Sequence, residues 1–341
     1  MKTIAMCALL AALAFGLLPG NRDEAAASDA GLVLLVETGE EAVAPRKALS
    51  AQQNESEATM TQTAPDAQTV RLLDGGAVAE LSMEDYLTGV LLSEMPADFE
   101  TEARKAQAVA ARTFTCRKLL QPKHENADVC AEASCCQAWT SREQLRQKYG
   151  ASFDAVWSAA REAVRQTAGQ VLTYDGQLID AVYFSCSGGA TEAAVAVWGT
   201  DVPYLQAVES PGEEAAPRFS SRAVFSPEEF SQRLMQENPD VQLSGSPDAW
   251  LGETTRSAGG GAATCSIGGV SFSGTQLRRM FGLNSTRLTL SYQDGDFVFD
   301  VTGFGHRVGM SQYGAQTMAR LGFSYQTILQ YYYQGAEVER Q

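Results

Sequence analysis

The chain has 341 residues, 45% of them hydrophobic and 20% charged, with a formal net charge of −15. That length accommodates one large domain or two small ones, and the composition is that of an ordinary globular body. Nucleic acid is excluded as a partner because it needs a basic footprint. Bulk charge does not steer an anionic polymer here either, so any anionic substrate has to be held by local groups in a cleft.

The chain opens with Met1-Lys2 and an apolar run from Ile4 to Leu18, closed by Pro19-Gly20. The run is short for a membrane-crossing helix, which needs roughly 17–25 residues. Residues 1–20 therefore read as a signal peptide or signal anchor, with a cleavage site of small residues near Ala25–Ala27. Cys7 lies inside the apolar run, which argues against a lipoprotein. The expected location is the cell membrane, anchored by the N-terminus with the rest of the chain extracytoplasmic. Residues 21–67 read as a flexible extracytoplasmic linker, rich in Ala, Glu, Gln, Ser and Thr. Over 21–70 there are nine acids against three bases (Arg22, Arg46, Lys47). Gly31–Val36 is a lone apolar run within it, a strand or docking segment.

The folded body is expected over 68–337. Ser82-Met83-Glu84-Asp85 resembles a capping box, and Tyr86, Leu87, Val90 and Leu91 follow at helical spacing. This helix has to stop by Met95, because Pro96 disfavours helical geometry in the residue before it. Glu94 thus falls at its C-terminal end. A second helix is expected over 102–119, with small residues (Ala103, Ala106, Ala110, Thr113) on one face, and a third over 153–167, closed by Gly169. Residues 171–183 read as a hairpin turning at Asp175-Gly176, and 288–301 as another. Ser244–Thr264, with Gly259-Gly260-Gly261, reads as a loose internal loop. Helices are expected over 311–320 and 325–332. The fold class is α+β, with helices packed on antiparallel hairpins.

Four clusters carry chemistry. Glu94 at a helix C-terminus faces the negative end of the dipole, which disfavours its anion by roughly 0.3–1 kcal/mol. Burial would push the same way, toward the protonated acid that glycosidic cleavage requires. His124, Cys130, Cys135 and Cys136 gather one imidazole and three thiols within 13 residues. A Cys3His zinc site and a disulfide are both open on spacing alone. Tyr183-Phe184-Ser185-Cys186-Ser187-Gly188-Gly189 leaves the first hairpin, and Gly303–Gly314 holds His306 among glycines ahead of a helix. A triad from Ser187 and His306, or a Cys186–His306 pair, is conceivable, although no nucleophile elbow surrounds either.

Taken together, Met83–Leu87, Ser93-Glu94-Met95-Pro96, Lys105–Thr113, Ser185–Glu192, Trp198, Gly303–Gly314 and Tyr331-Tyr332-Tyr333 closely resemble the stage II sporulation protein D family, which includes the amidase enhancers. The resemblance covers roughly 68–337 and implies a glycan-binding cleft in that α+β body. It implies a membrane-anchored lytic transglycosylase that acts in engulfment on peptidoglycan glycan strands stripped of stem peptides. The implied partners are those strands, a peptidoglycan amidase or endopeptidase, and membrane engulfment proteins. It also implies Glu94 as the catalytic acid/base, and Arg112, Ser185, Ser187, Gly188, His306, Ser311 and Gln312 as substrate-binding groups, with Arg112 holding Glu94 or substrate. Some members resemble zinc proteins at a segment matching His124, Cys130, Cys135 and Cys136, so zinc is the implied cofactor, shaping the site.

Three positions depart from the family pattern. Cys135 stands where His is usual, which makes the site more anionic. Cys186 stands where Thr is usual. Arg307 replaces a usual Gly, from which we expect a backbone conformation there that does not require glycine. Two rival functions remain, a glycoside hydrolase and a non-catalytic amidase enhancer that binds peptidoglycan and stimulates an amidase.

Overall fold

The computed structural model describes residues 68–341. The leader and the linker, with the Gly31–Val36 run, lie outside the described residues. Among the described residues no helix is long and apolar enough to cross a membrane.

The body is α+β, built from several small sheets and two hydrophobic cores. It opens with the hairpin β1 (Thr69–Asp74) and β2 (Ala77–Ser82), paired Thr69↔Ser82 to Asp74↔Ala77 around Gly75-Gly76, both at positive φ. That two-residue turn matches strand twist. Ser82 then caps α1 (Met83–Glu94) by accepting the Asp85 N–H at 3.1 Å. Met95 is extended (φ −118, ψ 146), as a residue before proline must be, and the helix stops at Glu94. Tyr86, Leu87, Val90 and Leu91 are all buried as the spacing predicts, and the burial extends nearly around the helix.

α2 (Thr101–Leu120) is the central helix. Its alanines, 103, 106, 108, 110 and 111, are buried and let α1, α4 (Phe153–Gln166), α8 (Gln312–Arg320), α9 (Tyr325–Tyr332) and strand β4 (Gln170–Tyr174) contact it. β3 (Val129–Cys130) adds to β1 in parallel, and α3 (Arg142–Tyr149) precedes α4 behind a capping box on Ser141. Asp175 and Gly176 turn β4 into β5 (Gln177–Leu178), both at positive φ as expected. The expected hairpin ends there, however. β6 (Tyr183–Phe184) leaves it and pairs in parallel with β15 (Met310–Ser311), so the pairing is not purely antiparallel. β7 (Gly189–Ala190) and β8 (Glu209–Ser210) flank the short α5 (Ala194–Trp198).

A second lobe is inserted between the Ser187 loop and the His306 loop. It comprises β9 (Ser220–Phe225), α6 (Pro227–Glu237), β10 (Leu251–Arg256), β11 (Ala262–Ile267), β12 (Val270–Ser273), α7 (Gly274–Phe281), β13 (Arg287–Gln293) and β14 (Asp296–Thr302). Its sheets run β10-β11-β12 and β13-β14-β9 around an aromatic core of Phe230, Phe272, Phe281, Phe297 and Phe299. Residues 244–264 are therefore not a loose loop. β10 and β11 pair there antiparallel, with register shifts between Leu251 and Thr254 and between Thr255 and Arg256, and the glycine-rich bend joins them. The chain closes with β16 (Glu337–Arg340) on β4.

One buried ion pair fastens the lobes. Arg307 and Glu192 are 0% and 2% exposed, with Nη1 3.0 Å from Oε1. The remaining Arg307 donors reach Ser187 O, Ala190 O and Gly259 O, each at 2.7 Å. Glu192 Oε1 also accepts from Ser257 Oγ and Gly261 N. The backbone at Arg307 overturns our expectation, because its φ is +66, in the left-handed region that favours glycine. The side chain's bonds across the lobe junction offset that strain.

Candidate active site and metal cluster

Glu94 closes α1 at the wall of a cleft of about 650 Å³ between the two lobes. The first lobe contributes Glu94, Phe114, Gln137, Tyr183, Ser185 and Gln312; Arg278, on α7, reaches in from the second. Burial raises the Glu94 pKa above the ordinary carboxylate value. Two hydrogen bonds oppose that: Ala138 N–H to Oε1 at 2.8 Å, and Gln312 Nε2 to Oε2 at 3.4 Å. Glu94 is the only carboxylate among the cleft-lining residues.

The segment that carries Ala138 is held by a close approach that only glycine allows. A Cβ on Gly89 would stand 2.3 Å from Trp139 Nε1. The indole thus lies directly over α1, one turn before Glu94, while Ser93 Oγ donates to Thr140 Oγ1 at 2.8 Å. Gln137, beside Ala138, is buried; its Nε2 donates to Tyr86 Oη (3.2 Å) and Thr115 Oγ1 (3.1 Å), and its Oε1 accepts from Tyr183 Oη (2.8 Å).

The expected site residues divide. Glu94, Ser185, His306 and Gln312 line the cleft together. His306 Nδ1 accepts the Val308 N–H at 3.2 Å, which leaves Nε2 as the protonated nitrogen. Burial lowers its pKa to about 4, the Arg278 charge acts the same way, and a hydrogen bond to the Tyr183 backbone opposes both. The ring is therefore neutral near pH 7, flanked by Phe184 and Trp198 at centroid distances of 5.6 and 5.5 Å. Trp198 is 47% exposed.

Four other expected site residues lie away from the cleft lining. Arg112 is 1% exposed and not among the cleft-lining residues. Its guanidinium donates to Val164 O (3.0 Å), Gln170 O and Thr167 Oγ1 (both 3.4 Å), joining α2 to the end of α4 and the start of β4. Ser187 is fully buried, with its N–H and hydroxyl both directed at Glu213 Oε2. Gly188 (φ +75) lies where a Cβ would meet the Thr302–Gly303 backbone at 3.0 Å, so its glycine serves a loop-to-loop approach. Ser311 is buried and caps α8 by accepting the Gly314 N–H at 3.2 Å. These groups build the loops behind the cleft.

The two nucleophile readings fall as well. The Ser187 hydroxyl bonds to a carboxylate and the Ser210 carbonyl, not to an imidazole. Cys186 is 0% exposed, and burial pushes its thiol up to about 11, away from the thiolate. Sequence reading missed Glu213, a buried acid raised by desolvation that anchors the Ser187 loop, because no fixed spacing ties it to that motif. It missed Ala138, which acts through a backbone N–H that has no side-chain signature. It missed Arg278 too, although Ser273 and Gln276 form a capping box that signals its helix.

His124, Cys130, Cys135 and Cys136 do converge. Their ligand atoms all lie within 4.8 Å of one another. His124 Nε2 is 3.5 Å from Cys136 Sγ and 3.7 Å from Cys135 Sγ. Ligand atoms around a tetrahedral zinc stand roughly 3.5–4 Å apart, so the donor set fits that ion. Cys130, Cys135 and Cys136 are all free thiols rather than a disulfide. Lys123 Nζ lies 3.2 Å from Cys135 Sγ, a cation set against the anionic excess of a third thiolate. Cys136 also lines the cleft, two residues before Ala138.

The chain is similar to several known proteins. The family model described as Stage II sporulation protein matches residues 74–174. The chain is 37% identical over 269 residues to the Stage II sporulation protein D of Bacillus subtilis (strain 168), covering 77% of this chain and 76% of that one. To the Stage II sporulation protein D of Bacillus amyloliquefaciens it is 36% identical over 266 residues, covering 77% and 75%. It is also 30% identical over 301 residues to a Bacillus subtilis (strain 168) protein named Amidase enhancer, covering 73% of this chain but 39% of that longer one. The chain belongs to the stage II sporulation protein D family.

Proposed function

We propose that this protein is a membrane-anchored lytic transglycosylase of sporulation. It cuts the bond between N-acetylmuramic acid and N-acetylglucosamine in peptide-free glycan strands during engulfment, alongside a peptidoglycan amidase or endopeptidase and membrane engulfment proteins. The observation that carries this reading is a single carboxyl group, raised in pKa by burial, on the wall of a cleft of about 650 Å³.

Glu94 Oε1 is engaged by the Ala138 N–H at 2.8 Å, whereas Oε2 meets only the longer Gln312 contact at 3.4 Å. Oε2 is therefore the oxygen that carries the proton. Glu94 donates that proton to the glycosidic oxygen as the C1–O bond breaks and positive charge develops on the muramic ring. The carboxylate so formed then removes the proton from the muramic 6-hydroxyl, which attacks C1 and closes a 1,6-anhydro ring. Ala138 and Gln312 stabilise the carboxylate between the two steps. Neutral His306, its Nε2–H committed to the Tyr183 backbone, brings no charge to the cleft, and the half-exposed Trp198 beside it offers a flat apolar face to a sugar.

A hydrolase usually needs a second carboxylate about 5–5.5 or 6.5–9.5 Å from the first, and Glu94 is the only acid among the cleft-lining residues. The metal reading is part of the proposal. His124, Cys130, Cys135 and Cys136 would hold one zinc ion, whose contribution is to fold the 123–139 segment that carries the Ala138 N–H. The test is mass spectrometry of the products from peptide-free glycan. Fragments ending in 1,6-anhydro-N-acetylmuramic acid support the proposal, and reducing ends reject it in favour of hydrolysis. Intact strands together with acceleration of an added amidase would establish the enhancer reading instead.

A further inference from the structure

A second hollow, of about 730 Å³, opens on the inserted lobe, lined by β9, β13, β14 and the glycine-rich bend. Three arginines meet there, Arg222, Arg256 and Arg287, with Asp300 as the only acid in the lining. In a chain with a net charge of −15 this is a local positive site. The three cations are not equivalent. Arg222 is engaged, donating to Gln293 Oε1 at 3.0 Å and facing Asp300 at 3.6 Å. Arg256 is exposed and is steadied by one bond, Nη1 to Leu288 O at 2.7 Å. Arg287 is half-buried, and its guanidinium has no hydrogen bond or ion pair to any described residue. It lies beside two bare backbones, since a Cβ on Gly189 or Gly260 would stand 3.4 or 3.3 Å from its Nη1. A guanidinium beside two bare backbones with its donors uncommitted is prepared for an anion, and its planar fork matches a carboxylate in a way a lysine would not.

The hollow neighbours the cleft. Thr302 lines the hollow and Phe304 is on the cleft wall, with Gly303 alone between them in the chain. Two residues of extended chain span at most about 7 Å, less than the length of a disaccharide. A strand leaving the cleft along this stretch of chain would pass the hollow that holds Arg287. The anion its sugars carry is decided by chemistry. While a stem peptide is attached, the lactyl group of a muramic residue ends in a neutral amide. Once the peptide has been removed it ends in a free carboxylate.

We infer that Arg287, with Arg256, is a carboxylate-binding subsite that reads the free lactyl group of a muramic residue next to the bond being cut. This inference rests on the proposed function. It gives that reading a physical basis for selecting peptide-free strands, since the pairing exists only after the peptide has gone.

The test measures binding, on the full chain carrying Glu94→Gln so that strands stay uncut. Two probes are compared: peptide-free glycan, and the same glycan with its lactyl carboxylates converted to methylamides. The chain should bind the free acid about tenfold more tightly, a preference that shrinks with salt because it is electrostatic. Adding Arg287→Gln should bring the free acid down to the affinity of the amide, while Arg287→Lys keeps part of the preference. Arg256→Gln, at an exposed position, should halve the preference or more without lowering the melting temperature. Equal binding of the two probes, or a preference that survives Arg287→Gln, overturns the subsite and leaves the proposed function standing. Failure to bind either probe overturns both.

Discussion

Ala138 donates its backbone N–H to Glu94 Oε1 at 2.8 Å, and Ala138 stands two residues beyond Cys136. The thiol cluster and the acid are thus joined by a short rigid stretch of chain, pinned by Trp139 over Gly89 and by Gln137 between Tyr86 and Tyr183. Whatever orders the cluster sets the position of the hydrogen bond that tunes the acid.

Glu94→Gln keeps an acceptor for Ala138 and removes the proton. Cleavage of peptide-free glycan should fall by about 10²–10⁴-fold while the protein folds normally. Because burial raises the Glu94 pKa, folding favours its protonated form. Its stabilising contribution is fully present below the unfolded carboxylate pKa and is lost as pH rises through the folded value. Thermal melts of the variant at neutral pH should therefore match or exceed wild type. A clear loss of stability there would contradict the burial argument.

The same shift governs the pH profile. The first step needs the acid protonated, so kcat/KM should decline as pH rises through the raised pKa of Glu94. His306, with its pKa lowered to about 4, is already neutral over that range and should contribute no inflection. An alkaline limb unchanged by Glu94→Asp would assign it to another group.

Removal of the metal is predicted to act locally. Protein purified without chelator should contain about one zinc per chain, and Cys130→Ser should abolish it. Hydrogen exchange should then accelerate across 123–139, since structural metal binding is folding free energy for the segment that holds it. Activity should fall with it, through loss of the Ala138 bond. Metal-free protein with ordered 123–139 amides and full activity would exclude the role proposed for the cluster.

Gly89→Ala tests the packing link by another route. The added methyl meets the Trp139 indole, and overpacking of this kind costs about 1–3 kcal/mol. The displaced segment carries Ala138, so activity should drop further than the modest fall in melting temperature would explain. A silent substitution would mean that the indole moves away without taking Ala138 with it.

The buried pair at the lobe junction should be costly to break. Glu192→Ala strands the Arg307 guanidinium in the interior, a change of about 3–5 kcal/mol. Urea unfolding should register it as a lower midpoint. Arg307→Gly relieves the positive φ but leaves Glu192 unpaired, so it too should destabilise.

Much of the first lobe was legible in the sequence because its signals are local. Ser82, Pro96, the apolar spacing of Tyr86 to Leu91 and the Asp175-Gly176 turn each act within a few residues, and Glu94 follows from them. Four cysteine and histidine side chains within 13 residues are legible for the same reason. The inserted lobe was read poorly, since its glycine-rich bend looked like loop while the strands on either side pair across it. Arg112, Ser187, Gly188 and Ser311 sit in motifs shared with a family, but spacing cannot distinguish a side chain that faces a ligand from one that builds the wall behind it. Arg307 was misjudged because the strain at its backbone is compensated by groups 48 to 120 residues away.

The parallel pairing of Tyr183–Phe184 with Met310–Ser311 has a consequence for when the cleft is assembled. Gln312, which touches the acid, is synthesised 218 residues after Glu94. A growing chain holds Glu94 long before the cleft around it is complete. A truncation anywhere before β15 would therefore lack both the strand that pairs with β6 and the Gln312 contact to Glu94, whatever else it retains.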